Sequence, residues 1–393
     1  MARVLVAALV AMIISILGGP TFIAFLRRNE VGQHIREEGP EHHAVKQGTP
    51  TMGGLLIVAA ATIAFLPLSD YTVPALTIFG TALACGAVGF LDDWMKLRNQ
   101  RSLGLSGRWK MLLLLAITVA VGFAAHHQQL RHDVFVPIVD WWLPLGPAWY
   151  LLLFLIIAGA VNGVNLTDGV DGLAAGTSII ALATFTAMAV TIFIRSHGPH
   201  GRIENRLDVA FIGAALIGAA VGFLWFNAFP AEVFMGDTGA MALGGAIAAM
   251  AIMMKVELLL LFVGGIFAIV AISVMLQVLS FKWWGRRIFL MAPLQHHFEM
   301  KAWSETKIMV RFWIVTAIFC AAGFALFYKY YPNIRPAVRG AQASVPTAVT
   351  NRLPRSNSFS KSPKLAAPGE STTTSPSRAA AAASATASSI DAA

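Results

Sequence analysis

The chain has 393 residues, of which 57% are hydrophobic and 12% charged, and its formal net charge is +9. Ordinary soluble domains carry about 25% charged residues, so this chain has too few charges to cover a soluble globule of its length. The composition excludes a cytosolic enzyme, a nucleic-acid-binding protein and a secreted disulfide scaffold. It predicts an all-α integral membrane protein, because helices satisfy their backbone hydrogen bonds within lipid.

Ten apolar segments are long enough, or nearly so, to cross a bilayer as helices of about 20 residues. They are 4–26, 51–69, 73–91, 111–125, 148–166, 173–194, 209–227, 239–254, 258–280 and 309–328. The shortest are 111–125 and 239–254. The first segment could be a signal peptide, but its apolar run is too long and no small-residue cleavage site ends it. We therefore expect a retained helix.

Lys and Arg are distributed unequally between the two sets of connections. The connections 27–50, 92–110, 167–172, 228–238 and 281–308 carry 14 of them, and the opposite set carries 6. Cytoplasmic loops are enriched in Lys and Arg, so we predict that the first set is cytoplasmic and that both termini lie outside.

The chain divides by composition into two parts. Residues 1–332 contain all ten predicted spans and form one transmembrane domain. Residues 333–393 are rich in Ala, Ser, Thr and Pro and offer too little apolar surface to offset the entropy of ordering. We predict a disordered external tail there.

Five aspartates on the predicted cytoplasmic side carry the main functional signal. They are Asp92, Asp93, Asp168, Asp171 and Asp237, and each lies near glycine at the inner end of a predicted helix. Helix capping explains a single aspartate, but it does not explain three glycine-flanked clusters on one side. Charge at membrane depth is costly and usually functional. We therefore predict one shared site.

Carboxylates without cysteine suit a hard cation, and Mg²⁺ takes one or two carboxylates and completes its shell with water and phosphate. Asp92 and Asp93 are adjacent and cannot point the same way on a helix. One could bind metal while the other accepts a proton. The flanking glycines are expected to let a phosphate or ribose approach the backbone.

Basic residues accompany the aspartates. The segment 46–54 starts at Lys46 and opens the second helix with glycine and hydroxyl groups, which favours an anion. Lys96 shares a helix face with Asp92 if that helix continues, and Lys110 begins the next helix. Membrane topology alone also explains lysines in such positions.

Two adjacent histidines, His296 and His297, lie in the last cytoplasmic connection. They lack the further ligands of a zinc site, so contact with a phosphate or a sugar is the better interpretation.

Six blocks together resemble the phospho-N-acetylmuramoyl-pentapeptide transferases, a family of the polyprenyl-phosphate N-acetylhexosamine-1-phosphate transferases. The blocks are 46–54, 92–93, 165–171, 225–227, 234–237 and 293–299. The resemblance spans residues 1–332, and the last block separates this family from relatives that use UDP-N-acetylglucosamine.

The resemblance implies an Mg²⁺-dependent enzyme of the bacterial cell membrane with its active site facing the cytoplasm. Undecaprenyl phosphate would attack the β-phosphate of UDP-N-acetylmuramoyl-pentapeptide, giving lipid I and UMP in the first membrane step of peptidoglycan synthesis. The family also suggests a homodimer.

The resemblance also implies roles for individual residues. Asp237 and Asp92 are expected to bind the metal, Asp92 also to act as the base, and Asp93 to support metal or phosphate. The expected substrate-binding residues are Lys46, Thr51, Lys96, Asn165, Asp168, Asp171, Asn227, Phe234, Gln277, His296 and His297. Gln295 stands where the family often has the first of three histidines, and we assign it no role.

Two other functions remain open from the sequence. The donor could be UDP-N-acetylglucosamine, although the block at 293–299 argues against it. A secondary transporter also uses intramembrane carboxylates and glycine-broken helices, but it should carry inverted repeats and midplane charges. No repeat is visible, and the aspartates lie at helix ends.

Overall fold

The computed structural model describes residues 2–29, 48–99, 104–195 and 204–340, with side chains in the last range from 207 to 332. The helices in these residues are α1 (Ala2–Arg28), α2 (Gly54–Phe65), α3 (Val73–Arg98), α4 (Gly107–His127), α5 (Ala148–Thr167), α6 (Leu173–Arg195), α7 (Glu204–Asn227), α8 (Gly236–Met253), α9 (Leu260–Val263), α10 (Gly265–Trp284), α11 (Leu294–Glu299) and α12 (Glu305–Gly340). Nine helices in the described ranges are long and apolar enough to cross a membrane. The chain is therefore a helical, multi-pass membrane protein, as predicted.

The segment 51–69 differs from the other predicted spans, because its helix α2 has only 12 residues. The residues before it pair with another part of the chain. The Phe234 N–H donates to the Pro50 carbonyl, and the N–H groups of Gly53 and Gly54 donate to the carbonyls of Phe234 and Met235, each at 2.8 Å. These bonds hold residues 50–53 outside the helix and dock the start of α2 beside the start of α8.

Helix α8 is the centre of the bundle, and every residue from Thr238 to Met253 is buried. Small residues let its neighbours approach closely. A Cβ atom built on Gly245 would lie 2.8 Å from the Cys85 Sγ on α3, and one built on Gly244 would lie 2.7 Å from the Val161 Cα on α5. The central helix is therefore packed closely against both α3 and α5.

A hairpin of two short strands, β1 (Asp133–Val136) and β2 (Trp141–Pro144), connects α4 to α5. Neither strand is among the elements predicted from the sequence. Lys255, after the end of α8, is fully buried. Its Nζ donates to the Arg131 and Asp133 carbonyls at 2.9 and 2.7 Å and to the Glu257 Oε1 at 2.8 Å. This buried ammonium fixes the hairpin to the end of α8.

Candidate active site

Three carboxylates meet where the last turns of α3 approach the first turn of α8. Asp92, Asp93 and Asp237 each offer an oxygen, and these oxygens lie within 4.8 Å of one another. Asp92 and Asp93 are 1% and 4% exposed, so their charges are almost fully removed from water. Three negative charges this close together, two of them almost out of contact with water, need nearby cations.

Two lysines supply this positive charge. The Lys96 Nζ lies 2.6 Å from the Asp92 Oδ2 and 3.2 Å from the Asp237 Oδ1. The Lys110 Nζ, from the first turn of α4, lies 3.1 Å from the Asp92 Oδ1 and 2.7 Å from the Asp237 Oδ2. Both ammonium groups therefore bridge the same two aspartates. Lys110 was not among the predicted site residues, because a lysine at a helix start is equally explained by topology.

Asp93 has different surroundings from its neighbour Asp92. Its carboxylate accepts hydrogen bonds from the backbone N–H groups of Asp237 and Thr238 at 3.2 and 2.9 Å, and from the Thr238 hydroxyl at 2.8 Å. A carboxylate at a helix start satisfies free N–H groups and opposes the positive end of the helix dipole. Asp93 therefore caps α8 from a different helix, whereas Asp92 faces the lysines.

Glycines beside the aspartates and at the start of α2 serve helix packing. A Cβ atom on Gly89 would lie 2.3 Å from the Asp237 carbonyl oxygen, and one on Gly54 would lie 2.1 Å from the Gly239 nitrogen. Gly236 has a φ of +74°, and a Cβ atom built on it would lie 2.8 Å from the Asp93 Oδ2. At Gly89 and Gly236, protein atoms fill the space that was expected to admit a ligand.

Asp168, just after α5, belongs to the surroundings of the three carboxylates. Burial, followed by the negative charges of Asp237 and Asp93, raises the pKa of its carboxyl group to about 8, and a hydrogen bond from the Gly236 backbone opposes that shift. These surroundings therefore favour the protonated form of this carboxyl group more than water does.

Asp171 and Asn227 hold the connection between α7 and α8. The Asp171 Oδ2 accepts from the Ala231 N–H at 3.1 Å. The Asn227 Oδ1 accepts from the Gly172 N–H at 3.1 Å, and its Nδ2 donates to the Val233 carbonyl at 2.9 Å. These bonds attach the residues after α7 to the residues after α5. Asn165 is half-buried in the last turn of α5.

The start of α2 contributes a further part of this region. Thr51 is buried, and a Cβ atom on Gly236 would lie 3.1 Å from its Oγ1. Phe234 forms backbone hydrogen bonds with both Pro50 and Gly53. Lys46, predicted to neutralise phosphate, lies outside the described residues.

Helix α11 brings His296 beside the segment that contains Asp168. A Cβ atom on Gly169 would lie 2.8 Å from the His296 Nε2, and the His296 Nδ1 lies 2.5 Å from the Glu299 Oε2. Gln295, to which the sequence assigned no role, is fully buried, and its Nε2 donates to the Leu166 carbonyl at 2.7 Å. Gln295 therefore holds α11 against the end of α5.

Gln277, on α10, forms hydrogen bonds through both its amide oxygen and its amide nitrogen to the connection that precedes α11. Its Oε1 accepts from the N–H groups of Ile288 and Phe289 at 3.1 and 3.0 Å, and its Nε2 donates to the Phe289 carbonyl at 3.2 Å. His297 accepts from the Leu290 N–H at 3.1 Å through its Nδ1. Gln277 and His297 therefore order the residues from 288 to 290.

A family model described as glycosyl transferase family 4 matches residues 75–255, which include the three clustered aspartates. The chain is thus a membrane-embedded transferase of that class. A signature described as phospho-N-acetylmuramoyl-pentapeptide-transferase signature 1 matches residues 46–58, the segment that docks beside α8.

Three relatives match this chain over nearly their whole length, and they narrow the class to one family. The chain is 44% identical over 337 residues to a phospho-N-acetylmuramoyl-pentapeptide-transferase of Rubrobacter xylanophilus, covering 84% of this chain and 98% of the relative. Proteins of the same name from Frankia alni and Bacillus pumilus are 44% and 41% identical, over 84% and 81% of this chain and 98% and 96% of their own lengths. The chain belongs to the phospho-N-acetylmuramoyl-pentapeptide transferase family.

The three carboxylates form a donor set that fits a divalent metal ion. The ligand atoms are all oxygens, and this group in the described part of the chain includes neither cysteine nor histidine. Hard cations such as Mg²⁺ prefer such ligands. Lys96 and Lys110 supply positive charge at the same carboxylates, so a cation there would compete with the two ammonium groups.

Proposed function

We propose that the chain transfers phospho-N-acetylmuramoyl-pentapeptide from UDP-N-acetylmuramoyl-pentapeptide to undecaprenyl phosphate, giving lipid I and UMP. This is the first membrane step of peptidoglycan synthesis, on which bacterial cell-wall formation, cell shape and division depend. The observation that carries the proposal is the buried cluster of three aspartates and two lysines at the ends of apolar helices, in a chain that belongs to this family. A lipid acceptor can reach such a position laterally from the bilayer, and a nucleotide can reach it from the aqueous phase.

The orientation in the membrane is part of the proposal. We infer ten crossings, with α2 counted as one, both termini outside and the aspartate cluster facing the cytoplasm of the bacterial cell. The excess of basic residues in the connections 92–110 and 281–308 supports this orientation. We also propose that the protein is a homodimer, as the family suggests.

In the proposed reaction, an oxygen of undecaprenyl phosphate forms a bond to the β-phosphorus of the donor. The bond from that phosphorus to the bridging oxygen breaks, and UMP leaves with the electron pair. Asp92 is the proposed base, since it would take the proton of an acceptor phosphate that arrives as the monoanion. Lys96 and Lys110 would neutralise phosphate oxygens.

Asp237 and Asp92 would hold Mg²⁺, which when bound neutralises negative charge on the transferring phosphate. Asp93 supports this arrangement, because it caps the helix that carries Asp237. Mg²⁺ fits the oxygen donors, and it is the one cofactor we propose.

The nucleotide pocket is proposed from the residues after α5 and α7 that lie around the cluster. Asp168 is one of the proposed nucleotide contacts. The other proposed nucleotide and substrate contacts are Lys46, Thr51, Asn165, Asp171, Asn227, Phe234, Gln277, His296 and His297.

The direct test is UMP release by the purified protein with undecaprenyl phosphate and Mg²⁺. We expect UMP from UDP-N-acetylmuramoyl-pentapeptide and none from UDP-N-acetylglucosamine. Release only from the second donor would assign the chain to the N-acetylglucosamine branch. If UMP is released from neither donor, the transferase proposal is contradicted and the transporter alternative has to be tested.

A further inference from the structure

A cavity of about 360 Å³ lies beside α11, in the connection between α10 and α12. It is lined by Arg287, Ile288, Phe289, Leu290, His297 and Lys301. His297 follows His296 on α11, and consecutive helical residues point about 100° apart. Because His296 contacts the segment of Asp168, the cavity opens next to the proposed nucleotide region but on another face of α11.

The wall of the cavity is held in place by side chains. The Gln277 amide fixes the backbone of Ile288 and Phe289 through three hydrogen bonds. His297 fixes the backbone of Leu290, and its ring lies 5.8 Å from the Phe289 ring, edge to face. The cavity is therefore shaped before any ligand arrives, which lowers the entropic cost of binding.

The cavity is positively charged. Burial, together with the positive charge of Lys301, lowers the pKa of His297, so the charge comes from Arg287 and Lys301. The connection 281–308 contains only two acidic residues against five basic ones. Both acidic residues are buried, and Glu299 lies on His296. An anionic ligand would thus meet two exposed cations on a surface with little opposing charge.

We propose that this cavity binds the peptide of the donor, with Arg287 and Lys301 pairing with the free carboxylates of that peptide. The inference rests on the proposed function, because a donor that carries a peptide brings at least one free carboxylate. The volume is near the lower end of ligand pockets, which run from about 300 to 1,000 Å³, so it takes a part of the donor. Ile288 and Leu290 supply apolar contact for small side chains, whereas Lys96 and Lys110 already serve phosphate.

The test compares two donors, UDP-N-acetylmuramoyl-pentapeptide and the same compound with its peptide carboxylates converted to amides. The variants are Arg287→Gln, Lys301→Gln and the double variant. Lys282→Gln is the matched control, because Lys282 is an exposed cation in the last turn of α10 that does not line the cavity. UMP release gives kcat/KM for each donor and KM for undecaprenyl phosphate.

In the wild type, amidation should lower kcat/KM by about tenfold, and each single variant should lower kcat/KM for the natural donor by about fivefold, as for partly exposed ion pairs. In the double variant, the two donors should become nearly equal. The Lys282→Gln protein should keep the wild-type ratio. This loss of dependence on the carboxylates is the signature of direct pairing.

The inference is overturned if the double variant keeps the wild-type ratio of the two donors. It is also overturned if the variants lower kcat/KM equally for both donors, or if they raise only the KM for undecaprenyl phosphate, which would assign the cations to the acceptor. A wild-type protein that releases no UMP from either donor contradicts the proposed function itself, so the two failures are distinguishable.

Discussion

Asp93 receives two hydrogen bonds from Thr238, one from the backbone N–H at 2.9 Å and one from the hydroxyl group at 2.8 Å. The bonds join the last turns of α3 to the first turn of α8, which also carries Asp237. Asp93 is thus engaged in holding two helices together, while the adjacent Asp92 faces two ammonium groups. The two aspartates therefore have separable roles, and mutagenesis should separate them.

Asp93→Asn should lower the thermal stability of the protein, because the charged cap of α8 is lost and one oxygen acceptor is replaced by a donor. Caps and buried hydrogen bonds to charged groups each contribute about 1–3 kcal/mol. Thr238→Ala removes only the hydroxyl bond and should cost less. Asp70→Asn, at an exposed ion pair with Arg3, is the control and should change little. Thermal unfolding in detergent measures all three, and an unchanged midpoint for Asp93→Asn would contradict the capping role.

Asp237→Asn should lower turnover by about 10²–10⁴, since electrostatic support of the transferring phosphate is reduced. The matched control is Asp208→Asn. Asp208 is a buried aspartate on α7 that accepts hydrogen bonds from Ser69 and Thr72. That control should lose stability but keep the wild-type dependence on Mg²⁺. Near-normal turnover of Asp237→Asn at ordinary Mg²⁺ would remove Asp237 from the metal site.

Lys110→Gln should increase the stabilisation that Mg²⁺ gives. Among the described residues, Lys96 is then the one ammonium group that still pairs with the three carboxylates. The metal-free protein therefore suffers more repulsion, and an added cation relieves it. Arg98→Gln, which changes an exposed cation at the end of α3, is the control. The rise in unfolding midpoint between EDTA and saturating Mg²⁺ should be larger for Lys110→Gln than for wild type or control. An equal rise would mean that Lys110 does not offset these carboxylates.

Asp92→Asn tests the base. A phosphate monoester has a second pKa of about 6, so the acceptor needs a base more at low pH than at high pH. If Asp92 accepts that proton, the variant should lose most activity below pH 6 and recover partly as the acceptor ionises unaided. The measurement is a pH–rate profile at two Mg²⁺ concentrations. A deficit that stays flat with pH and shrinks with added Mg²⁺ would show a metal ligand and no base.

Single cysteines at the two ends of α4 test the orientation. Ser106→Cys and His127→Cys lie at exposed positions 21 residues apart, and the natural Cys85 and Cys320 are buried and should react slowly. On intact cells, an impermeant thiol reagent should label His127→Cys, and it should label Ser106→Cys only after permeabilisation. Labelling of Ser106→Cys from outside would reverse the membrane orientation and the proposed cytoplasmic active site.

The apolar pattern predicts most helices, because a run of about 20 apolar residues has few alternatives in lipid. It fails at α2 and at the hairpin of β1 and β2. Backbone pairing with Phe234 and Met235 shortens α2, and the buried Lys255 helps to anchor the hairpin. Both depend on partners far away in sequence, which a local pattern does not contain.

The sequence predicts which aspartates form the cluster, but it does not predict how their side chains are arranged. Glycine-flanked acids at helix ends point to a common site, and Asp92, Asp93 and Asp237 do meet. Which neighbour caps α8 and which faces cations depends on how α3 lies against α8. Lys110 and Gln295 were missed for a similar reason, since a loop lysine and a lone glutamine have ordinary explanations until their partners are known.

Gly89 lies close to the backbone carbonyl of Asp237, so the spacing of α3 and α8 bears on the size of the ion that the proposed site would accept. Asp92 and Asp93 lie on α3 and Asp237 lies on α8, and the two helices are in close contact at Gly89. The distance between the carboxylate oxygens therefore depends on how closely α3 and α8 approach. Ligand distances for Mg²⁺ and Ca²⁺ differ by only about 0.3–0.5 Å. A single methyl group at position 89 would force the helices apart by more than that difference. If the carboxylates bind a metal ion as proposed, discrimination between the two cations would depend on the uncharged Gly89 as well as on the carboxylates.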